Sequence, residues 1–379
     1  MSRKLASIRK IINIRPIEGA DMIEVATVDG WDVVVAKKDN FKVNDKVLYF
    51  EIDSFLPALQ QFYFLAKSST KTMDGVIGYR LKTIRLRKQI SQGLIMPLSE
   101  FNINSKLAEG TDLTDKLGVK LYEVYKKPFS QAPVKGARAK FYIIKNKVEK
   151  IFPKTEIIFR MLDRLLFKAK YVKKFPNFIK KTDQERIQNL VGRLDTFRDI
   201  PFEVTIKLDG SSLTIFKNGN KNGVCSRNLD VSGEDNNYNS IEKKYNLLDT
   251  LKKYNKNIAI QGEMIGEGIQ GNHEKIEGID FYVFDIYNID ERRYMTSSER
   301  FEVLEDLECL GCKLNHVPIL ETGFKLGDMT LEDILNMAEG KSLFAKTREG
   351  LVFKSEELVD NRTFSFKAIA NSYLMSLKD

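Results

Sequence analysis

The chain of 379 residues reads as an α+β protein of two domains, a strand-rich barrel followed by a unit of mixed strands and helices. Three observations predict this. The length exceeds the roughly 250 to 300 residues at which a single core stops growing. Short apolar runs broken by Gly, Asp and Asn fill residues 1 to 130 with little helical periodicity between them. From Thr182 onwards strand-like runs alternate with helical ones.

Composition narrows the classes. Hydrophobic residues make up 42% of the chain and charged residues 30%, enough of the first for real cores. No apolar run is long enough to span a bilayer and no apolar leader follows Met1, so a cytoplasmic protein with no membrane association is expected. Three cysteines cannot build a disulfide framework, and the single C-x-x-C of Cys309 and Cys312 is poor evidence for zinc. With only His273 and His316 present, a multi-histidine metal site is excluded and a histidine-based triad is disfavoured.

The first domain, residues 1 to 130, is expected to hold strands at Leu5 to Ile14, Ile23 to Val28, Trp31 to Ala36, Lys46 to Ile52, Tyr79 to Leu86 and Leu94 to Pro97, with Asp29-Gly30 as a turn. Many short strands suggest a small barrel, and the OB type suits because it commonly binds oligonucleotides. The stretch Gly78 to Lys88 carries five cations. Arg85 and Arg87 alternate there with Ile84 and Leu86, which gives either a basic binding face or an ordinary solvated one.

Pro128, Pro133 and Gly136 mark a boundary, and residues 131 to 174 read as a basic helical connector. From Lys135 to Lys181 there are fifteen Lys or Arg and three acids, a net +12 within a chain of net +9, so the basicity is local and points to a polyanionic partner. Ile157, Ile158, Met161, Leu162, Leu165 and Leu166 share one helical face, with Arg160, Arg164, Lys168 and Lys170 elsewhere. Such a helix is a solvated connector with one packed stripe, a surface-lying amphipathic helix, or a carrier of phosphate-contacting cations.

Residues 175 to 379 form the second domain. Thr182-Asp183-Gln184-Glu185 has the spacing of a helix capping box, which places Arg186 on a helix. Strands are expected at Phe202 to Ile206, Leu213 to Phe216, Ile258 to Glu263, Phe281 to Tyr287 and Gly350 to Lys354, and helices near Ser240 to Tyr254, Ser297 to Leu310 and Leu331 to Ala338. Gly233 to Asn239 reads as a mobile loop.

The most informative peptide is Thr205-Ile206-Lys207-Leu208-Asp209-Gly210-Ser211-Ser212. It sets an amine at the end of an apolar strand, beside a carboxylate, with Gly210 allowing close approach of the backbone to a ligand. Alone, K-x-D-G is weak. Its order with Ser226-Arg227-Asn228, Gln261-Gly262-Glu263, Phe281-Tyr282-Val283-Phe284-Asp285, Glu349-Gly350-Leu351-Val352-Phe353-Lys354 and Ser365-Phe366-Lys367 is specific.

This series resembles the covalent nucleotidyltransferase superfamily of ATP-dependent DNA ligases, RNA ligases and mRNA capping enzymes. Many members carry an OB domain after the last motif, whereas twelve residues follow Lys367 here, so the barrel is expected ahead of the motifs. That order, with Gly19-Ala20-Asp21, Gly30-Trp31, the peptide Tyr49 to Pro57, Ser91-Gln92-Gly93 and Lys181 to Asn189, resembles the RNA ligase 5 family of the Deinococcus/Naegleria type. The resemblance implies an N-terminal OB-like barrel and a C-terminal nucleotidyltransferase (ATP-grasp-like adenylation) domain. It implies an ATP-dependent RNA ligase that uses Mg²⁺ or Mn²⁺ and joins 3′-OH and 5′-phosphate RNA ends, with nicked duplex as the expected substrate and no protein partner. An ATP-dependent DNA ligase, a guanylyltransferase, or a nucleic-acid-binding protein without catalysis are the alternatives.

Within that resemblance Lys207 is the nucleophile that takes AMP. A free lysine is only about 0.04% neutral at pH 7, so nearby cations or a divalent metal must lower its pKa. Asp209, Glu263 and Glu349 match the acids that hold the metal or its water, and hard carboxylates suit Mg²⁺ or Mn²⁺. Glu263 is alternatively the partner of the ribose hydroxyl. Lys354 and Lys367 match α-phosphate contacts, Arg227 a contact to ribose or the RNA 5′-phosphate, and Arg186 a clamp on the outgoing pyrophosphate. Phe281 matches the aromatic that stacks on adenine. Phe284 reads as core and Asp285 as an acid that orients its neighbours. Members often have Lys-x-Lys at the last motif; here Ser365 stands first, a departure that bears on one phosphate contact.

Overall fold

In the computed structural model the strict alternation of the segment around Trp31 becomes a strand whose Trp31, Val33 and Val35 are buried and whose Asp32, Val34 and Ala36 are half-exposed. The structure describes residues 3–122, 173–233 and 236–377 and, between the first two of these, 140, 141, 143–145, 148 and 155–167. Strands β1 (Ala6–Pro16), β2 (Ile23–Val28), β3 (Trp31–Ala36), β4 (Lys46–Phe50), β5 (Ser54–Pro57), β6 (Thr70–Met73), β7 (Val76–Arg80), β8 (Ile84–Leu86), β9 (Gln89–Ser91), β10 (Leu94–Pro97) and β11 (Lys120–Leu121) build the N-terminal part. One sheet runs β10-β4-β1-β2-β3 and another β11-β5-β7-β6, with β8 and β9 as a separate hairpin. β1 pairs with β4 over its first half and with β2 over its second, and its register shifts between Ile11 and Asn13. Such a bulge bends a strand and lets it serve two faces of a barrel. The expected OB-like strands are thus present.

One expected strand is two. Tyr79 to Leu86 divides into β7 and β8, because Leu81 leaves the ladder to bond backbone to backbone with Asp53 and Ser54 and is buried. The five cations therefore do not share a face. Arg80 turns towards Asp53, whereas Arg85, Arg87 and Lys88 sit on the exposed β8–β9 hairpin, Arg87 and Lys88 with left-handed φ of 48° and 68°.

Glu123–Lys174 forms a compact unit of its own. Within it a helix spans Glu156–Phe167, and β12 covers Lys173–Lys174. Ile158, Met161, Leu165 and Leu166 of the expected apolar face are exposed. Lys168 and Lys170, with five of the other cations of the +12 segment, lie outside the described residues.

The second large part holds β13 (Glu185–Arg186), β14 (Phe202–Lys207), β15 (Ser211–Asn218), β16 (Lys221–Ser226), β17 (Leu229–Asp230), β18 (Ile258–Gly266), β19 (Ile279–Asn288), β20 (Arg293–Tyr294), β21 (Asn315–His316), β22 (Ile319–Phe324), β23 (Gly350–Val359) and β24 (Arg362–Ile369). One sheet is ordered β13-β24-β23-β14-β22. The other runs β17-β16-β15-β18-β19-β20, with β21 beside β19. A core of Phe202, Val204, Ile206, Leu351, Phe353 and Phe366 joins the first sheet to Ile265 of the second and to the helix Leu331–Ala338.

Three local expectations change. Thr182 to Glu185 does not start a helix: Glu185 and Arg186 pair in parallel with Phe366 and Lys367, and a 3-10 helix, Ile187–Thr196, begins only afterwards. A non-local strand partner overrides the capping signal. The expected helix Ser240 to Tyr254 is broken at Asn246, whose φ of 48° separates Asn237–Tyr245 from Leu247–Lys253. Asn236 caps the first of these by accepting from the Asn239 amide, so Asn237 to Asn239 are helical rather than loop. Glu234 and Asp235 lie outside the described residues. By contrast, Thr296 and Thr330 begin helices with true capping boxes.

Candidate active site

The antiparallel pair β14–β23 sets the centre. Lys207, the last residue of β14, lies opposite Gly350, the first of β23, so Glu349 arrives beside it. Lys207 Nζ donates to Glu349 Oε2 at 2.6 Å. The chain then turns through Asp209 and Gly210 into β15, which runs antiparallel to β18 and brings Glu263 in. A Cβ on Gly210 would stand 2.3 Å from the Met264 carbonyl oxygen. The packing of β15 on β18 therefore requires a glycine at this position.

Three acids thus crowd one lysine. Burial pushes the Lys207 amine down, but Glu349, Glu263 and Asp209 push it further up, and it ends above its ordinary value. Burial and the nearby Glu349 carboxylate raise Asp209. Burial, against the pull of Lys207, together with Glu349 and Asp209 pushes Glu263 up to about 8. The site holds more negative charge than its own cation balances. That surplus fits a divalent cation, with Asp209, Glu263 and Glu349 as the residues to hold it. Among the described residues no group of three or more His, Cys, Asp or Glu is placed to cage a metal directly. A cation here would therefore keep water and phosphate in most of its coordination shell.

Two cations flank the acids on neighbouring strands. Arg186 on β13 is aligned in register with Lys367 on β24. Burial, Arg186 and Lys207 together push Lys367 down to about 8. Arg186 is buried: Nη2 donates to Asp53 Oδ2 of the barrel at 3.1 Å, its guanidinium lies 5.7 Å from the Trp31 ring, and Nε and Nη1 have no partner among the described residues. Unpaired buried donors of this kind suit an anion such as phosphate. Asp183 lies between Arg227, at 3.5 Å, and Lys367, at 4.0 Å, and Arg227 is an exposed pair member.

Two sequence-predicted residues stand elsewhere. Lys354 is opposite Glu203, four positions along the ladder from Lys207, or about 13 Å of strand. It is buried, donates to Asp285 Oδ1 at 2.8 Å and to the Phe284 carbonyl, and is committed to an ion pair rather than to a phosphate. Asp285 does orient a neighbour, as expected, and that neighbour is Lys354. Phe281 is fully buried among Ile260, Met264 and Val283. Its ring lies where a Cβ on Gly262 would come within 2.5 Å. Glu263 is opposite Tyr282, so Phe281 points to the other face of the sheet and offers no open ring to a base.

Three residues without a sequence-assigned role surround the acids. Asp53, in a left-handed turn with φ 66°, lies near Arg3, Arg80 and Arg186. Tyr238 stands close to Ser211 and Glu263. Tyr373 stands close to Asp209. Asp53 had a signal, since it lies in the Tyr49 to Pro57 peptide; the two tyrosines had none.

A family model described as an OB-fold domain matches residues 5–98, and the model of the RNA ligase family matches residues 200–369. No curated protein sequence matches the chain. Among solved structures, Naegleria gruberi RNA ligase with pyrophosphate is 40% identical, with 98% of each chain covered and a TM-score of 0.81. A variant of the same enzyme with ATP and manganese is 38% identical, with 98% of each chain covered and a TM-score of 0.80. A further variant with AMP and manganese is 38% identical over the same shares at a TM-score of 0.81. Taken with the OB-type barrel ahead of a lysine-centred pocket, this likeness shows that the chain belongs to the RNA ligase family of the Naegleria type, within the covalent nucleotidyltransferase superfamily.

Proposed function

We propose that this ATP-dependent RNA ligase seals 3′-OH and 5′-phosphate RNA ends in nicked duplexes by three nucleotidyl transfers, with Lys207 as the residue that carries AMP. The division 1 to 130, 131 to 174 and 175 to 379 serves that reading as barrel, connector and catalytic domain, and RNA ends place the work inside the cell. One observation carries the assignment of the nucleophile: Lys207 Nζ is held 2.6 Å from Glu349 at the end of a strand, inside a cluster with surplus negative charge.

The resting pair explains how reactivity is withheld. Beside three acids Lys207 stays an ammonium and cannot attack. A bound Mg²⁺ or Mn²⁺ would supply positive charge near Asp209, Glu263 and Glu349, in keeping with the manganese in the solved N. gruberi structures. Glu349 is placed to take the proton that Lys207 gives up, since the two already share it. The freed amine then attacks the ATP α-phosphorus, the bond to the β-phosphate breaks, and pyrophosphate leaves with AMP joined to Nζ. Lys367, on the strand beside β23, is near enough to Lys207 for the Lys207 charge to depress its ammonium, and would stabilise charge on the α-phosphate. The two unpartnered donors of Arg186 are placed for the leaving pyrophosphate. AMP then passes to the RNA 5′-phosphate, towards which exposed Arg227 is the available cation, and the 3′-OH displaces it.

The test is incubation with each α-labelled nucleoside triphosphate, followed by nicked duplexes with ribose or deoxyribose at each position flanking the break. Labelling by ATP alone, lost in Lys207→Ala, and sealing that depends on ribose are expected. Labelling that persists in Lys207→Ala, or equal sealing of an all-deoxyribose nick, would overturn the reading.

A further inference from the structure

The β8–β9 hairpin is anchored at its feet and open at its tip. Thr83 and Gln92, which flank it, are buried, and Gln92 Nε2 donates to Thr83 Oγ1 at 3.4 Å. The Val34 amide donates to Ser91 Oγ at 2.9 Å and the Gln92 amide to the Asp32 carbonyl at 2.8 Å. Arg15 donates to Gln89 Oε1 at 3.0 Å and to Asp32 at 2.6 Å, so the ribbon is braced on β1 and β3. Gln92 Nε2 also donates to Asn371 Oδ1 at 3.4 Å, at the start of the helix Asn371–Ser376, and the adjacent Ala370 amide donates to the Glu349 carbonyl at 2.9 Å. The feet therefore stand close to the acid that holds Lys207. From Ile84 to Arg87 is three steps of strand, or about 10 Å. All of β8 is exposed, Ile84 and Leu86 included, and the side chains of Arg85, Arg87 and Lys88 make no ion pair or hydrogen bond among the described residues.

The turn at the tip is strained. Leu86 pairs with Gln89, so Arg87 and Lys88 alone make it, both with left-handed φ, 48° and 68°. That conformation favours Asn, Asp and Gly, and two other hairpins of the chain supply them. Asp74-Gly75 joins β6 to β7 at 52° and 79°, and Asp360-Asn361 joins β23 to β24 at 51° and 60°. At β8–β9 two long cations take those places, and no partner among the described residues offsets the strain. Strain kept at an unpaired tip points to a ligand from outside, and three free cations on a braced ribbon select a polyanion. We propose that the β8–β9 hairpin is a basic finger that grips backbone phosphates of the RNA duplex a few nucleotides from the break, with Arg85, Arg87 and Lys88 as the contacts. This rests on the functional reading above and deepens it. The finger acts on the RNA rather than on ATP, and it reads charge rather than base sequence.

Two variants of the full chain separate binding from folding. Arg85→Gln/Arg87→Gln/Lys88→Gln removes the charge, whereas Arg87→Asn/Lys88→Gly gives the turn the residues its φ angles favour. Binding of a nicked RNA duplex is measured from about 50 to 200 mM salt, with lysyl-AMP formation from ATP alone and the melting temperature followed in parallel. The triple variant is expected to bind about ten- to a hundredfold more weakly at low salt, with a log–log salt slope shallower by about two to three, while lysyl-AMP formation stays within about twofold of wild type. The turn variant is expected to lose about five- to twentyfold in affinity and yet melt about 2 °C higher, so that stability and RNA binding move in opposite directions. An unchanged salt slope in the triple variant overturns the proposal, as does an equal fall in lysyl-AMP formation. Should the turn variant fold poorly, the slope of the triple variant decides. A wild-type chain that binds nicked RNA but does not seal it removes the functional reading instead, and the salt slopes still decide the role of the hairpin.

Discussion

The β14–β23 ladder carries two charge clusters, one towards each end, built in opposite ways. At the Glu203/Lys354 rung two acids meet two bases. Arg300 Nη2 reaches both oxygens of Glu203 at 2.5 and 2.7 Å, Lys354 takes Asp285, and the Ser297 hydroxyl donates to Glu203 as well. His316, which accepts from Arg300 Nε at 3.0 Å, is pushed down to about 3 by burial and by that guanidinium, and is neutral. At the Lys207/Gly350 rung three acids meet one lysine, and two donors of nearby Arg186 have no partner among the described residues. Charges that are balanced and hydrogen-bonded hold elements together, here the helix Ser297–Cys309 to the sheet. Charges left unbalanced in a half-buried place are instead disposed to take up a ligand of opposite sign.

The largest effect that would break this contrast is at the nucleophile. Lys207→Ala is expected to lower adenylylation at least about a thousandfold, with no AMP adduct in the intact mass. Next comes the balanced cluster. Glu203→Gln leaves Arg300 buried and half-paired, and the unfolding free energy in urea is expected to drop by about 3 kcal/mol or more, with adenylylation per folded molecule within about twofold. A variant that is equally stable but inactive would erase the distinction between the two ends.

Asp209→Asn sharpens the comparison from the other side. Removing one of three crowded negative charges is expected to leave stability within about 0.5 kcal/mol of wild type or above it, while the divalent-metal requirement for lysyl-AMP formation rises sharply. The smallest expected effect is in the pH dependence of the metal-free protein. Glu263 has a folded pKa of about 8 against an ordinary 4.5, so the folded state holds its proton more tightly, and stability is present below about 4.5 and lost as pH rises to 8. Lys367 runs the other way: pushed down to about 8 from 10.5, it makes stability recover between 8 and 10.5. Melting temperature against pH should therefore pass through a shallow trough near 8. Glu263→Gln should flatten its acid side, and a profile identical in that variant would show that the crowding is not felt.

Much of the site was legible in the chain because its parts are local. Lys207, Asp209 and Gly210 occupy one turn, and the order of the downstream peptides pointed to the family before any coordinate was known. What misled was also local. Thr182 to Glu185 has the spacing of a helix start, yet its last residue enters a parallel pair with Phe366. Phe281 and Lys354 lie in recognisable peptides, but one is spent in the core and the other on Asp285.

By itself the amino-acid order determined which groups are chemically able to act and in which kind of element most of them stand, since strand alternation and turn chemistry depend on neighbours in sequence. Tertiary structure alone decided which charges are neutralised and which are not. Glu203 meets Lys354, Arg186 meets Asp53 and Lys207 meets Glu349 across more than a hundred residues each, and the strength of an electrostatic contact is set by distance and burial in space rather than by separation along the chain.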